Sequence, residues 1–164
     1  MTQQTLVHPI PPTWNENSQI LILGSWPSVK SRARAYFYGH PQNRFWQLLA
    51  LLFEEPLPET KSERESLLLR RGIAVWDVIA SCSISGSADS SIRDVVVNDL
   101  SVILEHAPIQ QIYVNGRKAE SLYCRDIQPQ IHRDAICRPS TSPANAAWTL
   151  EKLLPVWQQI LTFL

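Results

Sequence analysis

Apolar and polar positions alternate along the chain in blocks of two different periods. QILILG, from Gln19 to Gly24, is a short apolar run rich in branched residues and closed by a glycine. That is the pattern of a parallel strand buried on both faces. In FWQLLALLF, residues Phe45, Leu48, Leu49, Leu52 and Phe53 recur at helical spacing, and Pro56 and Pro58 end the helix. ETKSERESLLLRRG reads as a second helix, with Thr60 and Glu63 or Ser62 and Glu65 as a capping box and Gly72 as its stop. GIAVWDVI is a second strand, and SCSISGSADSS a polar loop. Asn98 is placed to cap the helix DLSVILEHA, which Pro108 stops. IQQIYVNG is a third strand, GRKAESLYC a helix and DAICRPS a fourth strand. A last helix, from about Asn145 to the C-terminus, carries Trp148, Leu150, Leu153, Leu154, Trp157, Ile160 and Leu161, and Pro155 kinks or divides it.

Strands that alternate with helices imply right-handed crossovers and a parallel sheet covered on both faces. The expected fold is therefore α/β, a three-layer α/β/α sandwich around a central four-stranded, mostly parallel sheet, formed by residues 1–164 as one domain. Sheets of this kind bind ligands outside the carboxyl ends of their strands. Those ends are GSWPS at Gly24, the Ser-rich loop after Val78, the Asn115-Gly116 turn and RPSTSPAN at Arg138.

Composition narrows the class without deciding it. With 45% hydrophobic and 18% charged residues the chain is globular, and 15 basic against 15 acidic residues give no net field to announce a nucleic-acid partner. The charges are unevenly spread: no acidic residue lies between Asn17 and Phe53, where Lys30, Arg32, Arg34 and Arg44 fall, so a locally basic face is expected there. MTQQTLVHPIPPTWNENS lacks the basic segment, apolar run and small-residue site of a leader, which makes the cytoplasm the default compartment. Cys82, Cys124 and Cys137 suit neither a disulfide framework nor a metal pair, and the histidines are no better spaced. No cofactor and no metal are expected.

The motifs of nucleotide triphosphatases, dehydrogenases, serine hydrolases and zinc peptidases are missing. What stands out is GSWPS, then YFYGHPQNRFW, then PSTSPAN. In that order these resemble the uracil-DNA glycosylase superfamily, whose mismatch-specific members have a Gly-x-Asn-Pro-Gly turn, a His-Pro-x-Asn-x-Phe-Trp segment and a Pro-Ser-x-x-Ser loop. HPQNRFW matches the middle element at each defined position. The first element departs: Trp26 stands where the mismatch enzymes carry a water-activating Asn, and an indole has no oxygen to orient water. The hypoxanthine-DNA glycosylase branch also has GSxPS, and GIAVWDVIASC, GSADSSI, VNGRKA and PSTSPANA are similar to it as well, from about Leu21 to Ala147.

The resemblance implies a monofunctional glycosylase that flips out a deaminated base and hydrolyses its glycosidic bond. It assigns the essential amide to Asn43, which either holds the attacking water or pairs with the base; the competing structural role is that of N-cap for the following helix, and the two coexist only if the backbone alone caps. It makes Tyr38 the platform for the extruded base, with Phe37 a packing residue. Gly24 lets the backbone approach the base, the Ser25 amide is a donor to it, and His40 is a donor to the departing base. Ser28, Lys30, Ser140 and Ser142 are placed to grip DNA, and Arg138, where relatives carry His or Asn, to meet phosphate or base. Asp77 and Asp89 are secondary candidates for orienting water, and Asn115 with Gly116 for meeting the DNA backbone. The expected partner is double- or single-stranded DNA holding deaminated bases, chiefly hypoxanthine and also uracil or xanthine, bound by a monomer with no membrane involved. Competing readings are a uracil or thymine mismatch glycosylase with relocated catalytic groups and a binding module that has lost catalysis.

Overall fold

A computed structural model of the chain describes residues 4–34, 36–84 and 92–164. At its centre β2 (Ile20–Gly24) lies between β3 (Ile73–Asp77) and β6 (Gln111–Asn115), and β7 (Ala135–Arg138) completes a four-stranded sheet of order β3-β2-β6-β7. All three pairings are parallel. The alternation of side chains along a strand sends Ile20 and Ile22 to one face and Leu21 and Leu23 to the other. Both faces are buried, and these four side chains are fully removed from solvent.

On the Ile20 face pack α2 (Phe45–Leu52), α3 (Lys61–Arg70) and α7 (Leu150–Trp157), through Phe45, Trp46, Leu48, Leu49, Leu67, Leu68, Leu153 and Trp157. On the Leu21 face lie α4 (Ser101–Leu104) and α5 (Arg117–Leu122), through Ile103, Ala119 and Leu122. The three-layer α/β/α arrangement expected from the alternation of elements is therefore the one observed. Thr60 caps α3, its hydroxyl accepting from Glu63 N–H at 3.1 Å, while the Glu63 carboxylate reaches Glu59 N–H rather than closing the box on Thr60. Gly72, at φ +74, ends the segment in the left-handed conformation that glycine adopts most easily. Pro155 sits inside α7, and the chain continues beyond Trp157 as a 3₁₀ turn, Gln158–Phe163.

Two expectations are corrected. SCSI is not loop: Ile79–Ile84 is β4, the middle strand of a second, antiparallel sheet between β1 (Gln4–Val7) and β5 (Arg93–Val97). Cys82 and Ile84 face its core. Asn98 does not cap α4, which is only four residues long; its side-chain amide donates to the carbonyls of Asp77 and Ile79, at 2.8 and 3.3 Å. It thereby staples the bend at Val78, where the chain passes from one sheet into the other. The GSADSS part of the predicted loop, with Asp89, lies outside the described residues.

The N-terminal segment is woven into both sheets. β1 pairs with β4, His8 N–H continues that ladder to Ala80 O, and Thr13 exchanges backbone bonds of 2.9 and 3.0 Å with Val75 along the edge of β3. Thr13 Oγ1 also meets the Tyr36 hydroxyl at 2.8 Å.

All four tyrosines are pushed upward in pKa, mainly by burial, Tyr36 and Tyr123 to about 12. Folded phenols that titrate above their unfolded counterparts stabilise the protein below the unfolded pKa and lose that contribution as pH rises through the folded one. Tyrosinate absorbance should therefore stay low at pH values where free tyrosine ionises, about 10, then rise cooperatively with the loss of circular dichroism. A titration of one or more tyrosines near pH 10 with the fold intact would contradict the burial described here.

Candidate active site

Parallel register brings the last residues of β3, β2, β6 and β7 into one row. Gly24 is opposite Asp77 on one side, Val114 opposite Leu23 on the other, and Asn115 opposite Arg138. Asp77, Gly24, Asn115 and Arg138 thus stand side by side at the carboxyl edge, where the topology predicts a ligand.

Tyr38 fills the middle of that row. A Cβ on Gly24 would collide with Asp77 Oδ1 and come within 3.0 Å of the Tyr38 hydroxyl, so only glycine allows both side chains to lie over this point. The Tyr38 oxygen is buried, with no hydrogen-bond partner of good geometry among the described residues. Burial pushes its phenol well above the usual range, the Asp77 charge adds to the shift, and the Asn115 side chain opposes it. One ring face lies on Phe45, with centroids 4.1 Å apart, and the residue keeps part of its surface exposed. Its φ of +53 is the left-handed conformation a tyrosine seldom adopts. Ser31 holds the turn from the far side, its hydroxyl accepting from Gly39 N–H at 2.9 Å.

Asp77 is held by a residue the motifs did not point to. His8 Nε2 and Asp77 Oδ2 are 2.8 Å apart, with side chains only 4% and 5% exposed. His8 Nδ1 accepts from Ile10 N–H at 3.2 Å, so Nε2 carries the proton that is donated to the carboxylate. Trp26 packs edge-on against the His8 ring at 5.6 Å. It is a buried core residue, and its indole N–H has no partner among the described residues.

The HPQNRFW segment is locked to the last loop. Arg44 N–H bonds Thr141 O at 3.1 Å, and the Arg44 guanidinium reaches the carbonyls of Thr141, Ser142 and Asn145 at 3.3, 2.7 and 3.2 Å. Thr141 in turn exchanges two bonds of 3.1 Å with the Asn115 side chain. Burial lowers the Arg44 pKa. Arg44 is a tie between loops, so it adds nothing to the expected basic face.

Within this frame Asn43 Oδ1 accepts from Phe45 N–H at 2.9 Å, which satisfies an orphan donor in the first turn of α2. Its Nδ2 has no partner among the described residues. His40 Nδ1 accepts from Gln42 N–H at 3.0 Å, which leaves Nε2 as the outward donor. Ser25 is half-buried, and its carbonyl takes Ile79 N–H. Ser28 is exposed and caps the start of α1 (Val29–Arg34), on which Lys30 lies; the Lys30 side chain is outside the described residues. Ser140 and Ser142 are half-buried in the last loop, where Ser140 Oγ takes Ser142 N–H. Arg138 is not gathered with the others: its guanidinium is bonded to Cys137 O, Val156 O and Gln159 Oε1, toward the C-terminal helix. Among the described residues no three His, Cys, Asp or Glu side chains cluster as a metal ion would require.

Two substitutions test this geometry. Gly24→Ala should lower stability by about 1–3 kcal/mol through overpacking against Asp77 and Tyr38, read as a fall in the thermal midpoint. Arg44→Met should cost about 1.5–3 kcal/mol in urea denaturation and speed amide exchange across residues 141–145, with exchange elsewhere little changed.

Comparison with known proteins identifies the family. The family model for the Uracil DNA glycosylase superfamily matches residues 11–161. A Hypoxanthine DNA glycosylase of Methanosarcina barkeri is 37% identical over 111 residues, 66% of this chain and 70% of its own. Another protein of that name, from Methanosarcina acetivorans, is 40% identical over 111 residues with the same coverage. Among solved structures, the solution NMR structure of a candidate uracil DNA glycosylase from Methanosarcina acetivorans superposes with a TM-score of 0.80 at 31% identity, covering 95% of this chain and 97% of that one. With its three motifs converging on the carboxyl edge of a parallel sheet, this chain belongs to the uracil DNA glycosylase superfamily.

Proposed function

We infer that the protein is a monofunctional DNA N-glycosylase that extrudes a deaminated base, hypoxanthine foremost, and hydrolyses its glycosidic bond to leave an abasic site. Similarity to two hypoxanthine DNA glycosylases supports the substrate class. The observation that carries the reading is Asn43, with its oxygen anchored on Phe45 N–H and its amide nitrogen left as a donor at the helix start.

Extruding a nucleotide costs a few kcal/mol, least for a mispaired base. Stacking returns about 1–3 kcal/mol per base, and Tyr38, braced by Phe45 on one face, is the aromatic for it. As the glycosidic bond breaks, the sugar gains positive and the purine negative charge. A donor fixed before the reaction stabilises that charge without reorganising. Asn43 Nδ2 and His40 Nε2 are such donors, each held by a bond at the opposite end of its own side chain. With Oδ1 already accepting Phe45 N–H, Asn43 suits donation to the leaving base better than activation of water.

Ser28, Lys30, Ser140 and Ser142 border this edge in sequence and are the groups for the flanking phosphates. A single flipped base needs one site, so the chain works as a single-domain monomer, in the cytoplasm, on DNA whose strandedness is set by how readily the base leaves its stack. Among the described residues no helix is long and apolar enough to cross a membrane.

Labelled duplexes carrying deoxyinosine, deoxyuridine or deoxyxanthosine, cleaved at abasic sites with alkali, provide the test. Excision of hypoxanthine is expected, and Asn43→Ala should slow single-turnover excision by about 100-fold or more with its circular dichroism unchanged. No strand break with any of the three bases would overturn the enzyme reading; full activity in Asn43→Ala would overturn the role of this amide.

A further inference from the structure

Arg44 is the N-cap of α2, where a cation faces the positive end of the helix and where Ser, Thr, Asp or Asn would serve better. Its side chain makes no cap bond there. Instead the guanidinium turns inward to the carbonyls of Thr141, Ser142 and Asn145. The helix start gains nothing from such a residue, so its use lies in the loop it reaches.

That loop is tied to the core by other groups. Trp157 Nε1–H bonds Pro139 O at 2.9 Å, and Asn115 exchanges bonds with the Thr141 hydroxyl and N–H. Within the loop Asn145 Nδ2 bonds Ser140 O at 3.0 Å, and Asn145 N–H bonds Ser142 O at 2.9 Å. The bonds of Asn43, by contrast, are local among the described residues: its N–H returns to His40 O at 2.9 Å, and its Oδ1 takes Phe45 N–H. Arg44 is the residue that leaves this circuit, its N–H meeting Thr141 O at 3.1 Å beside the guanidinium contacts. The peptide groups on both sides of the Asn43 Cα are thus held, one by the turn and one by the loop.

We propose that Arg44 is a positioning residue for the reaction: it fixes the Asn43 amide against the loop carrying Ser140 and Ser142, so that Nδ2 is aimed before the base arrives. Arg44 touches no substrate in this role. A donor aimed in advance costs no reorganisation as charge develops, and a displacement of about 1 Å can cost about 100-fold in rate. The loss from removing Arg44 therefore falls on the chemical step more than on binding. Lysine is no substitute, since a point charge on a flexible stem cannot span three carbonyls as a planar fork does.

The inference rests on the role given to Asn43 above, and its test separates the two. With a deoxyinosine duplex, Arg44→Met should lower the maximal single-turnover rate about 10- to 100-fold. Its Kd for a duplex holding the uncleavable 2′-fluoroarabino nucleoside of hypoxanthine should stay within about threefold. In an Asn43→Ala background the same change should slow excision by no more than about twofold, because a residue acting through Asn43 has nothing left to position. A merely structural arginine would lower the rate in both backgrounds alike, and that result would overturn the proposal, as would a loss confined to Kd. Arg44→Lys, the gentler variant should Arg44→Met not fold, goes through the same cycle with the same outcomes. One readout needs no catalysis: the Asn43 side-chain amide resonances, identified by their disappearance in Asn43→Ala, should move toward the position of a free asparagine in the folded Arg44 variant. Unmoved resonances would overturn the proposal even if hypoxanthine is excised. A protein that excises no deaminated base, or an Asn43→Ala variant as fast as the unaltered chain, fails at the earlier reading instead, and the resonances still decide this one.

Discussion

The site depends on the parallel register of Ile20–Gly24 with its two neighbours. Side chains alternate between faces, so a slip of one residue would exchange the Ile20 and Leu21 faces and bury the wrong set. Four aliphatic side chains buried on both faces therefore hold the register, and the register alone sets Asp77, Gly24 and Asn115 level with one another. None of the polar groups at the edge has to supply this alignment, because the hydrophobic layers beneath them already do.

What the edge groups supply is closure. The loop after β2 and the loop after β7 are far apart in sequence, yet Arg44 bonds the backbone of 141–145, and Thr141 bonds Asn115. The Ser142 and Asn145 carbonyls already take N–H groups from Asn145 and Trp148 within the loop, so the guanidinium adds a second, charged donor that ties the loop to a distant segment. Asn43 is next to Arg44, and its own oxygen is bonded two residues ahead. The donor proposed for the leaving base is thus held in a short turn anchored at both ends.

The apolar runs of the central sheet and the helical spacing of Phe45 to Leu52 were legible because burial on both faces, or on one helical stripe, imposes a period. β4 was not, since Ser81 and Ser83 alternate with Cys82 and Ile84 and a four-letter alternation rich in serine looks like a loop. β1 is four residues long and finds its partner more than seventy residues away, so no local pattern announces it. Asn98 was misassigned because its amide serves a cap or a chain bend equally well. At the site, Tyr38 and Asn43 stood out through their motif. The neighbours of Asp77 did not, because a lone His8 among prolines carries no spacing signal, and the inward turn of Arg44 and the helix-directed turn of Arg138 are choices of rotamer that only packing makes.

Val78 joins the two sheets as a single buried residue, giving its N–H to Gly24 O at 2.7 Å and taking Asn98 N–H at 2.8 Å. With no slack on either side of Asp77, the antiparallel sheet is an extension of the central one rather than an appended module. A graft, tag or circular permutation that opens the chain between β3 and β4 would cut the segment that aims the carboxylate, whereas the exposed turn at Pro56 and Leu57 runs between helices remote in sequence from that joint. Engineering of this scaffold has its natural seam there.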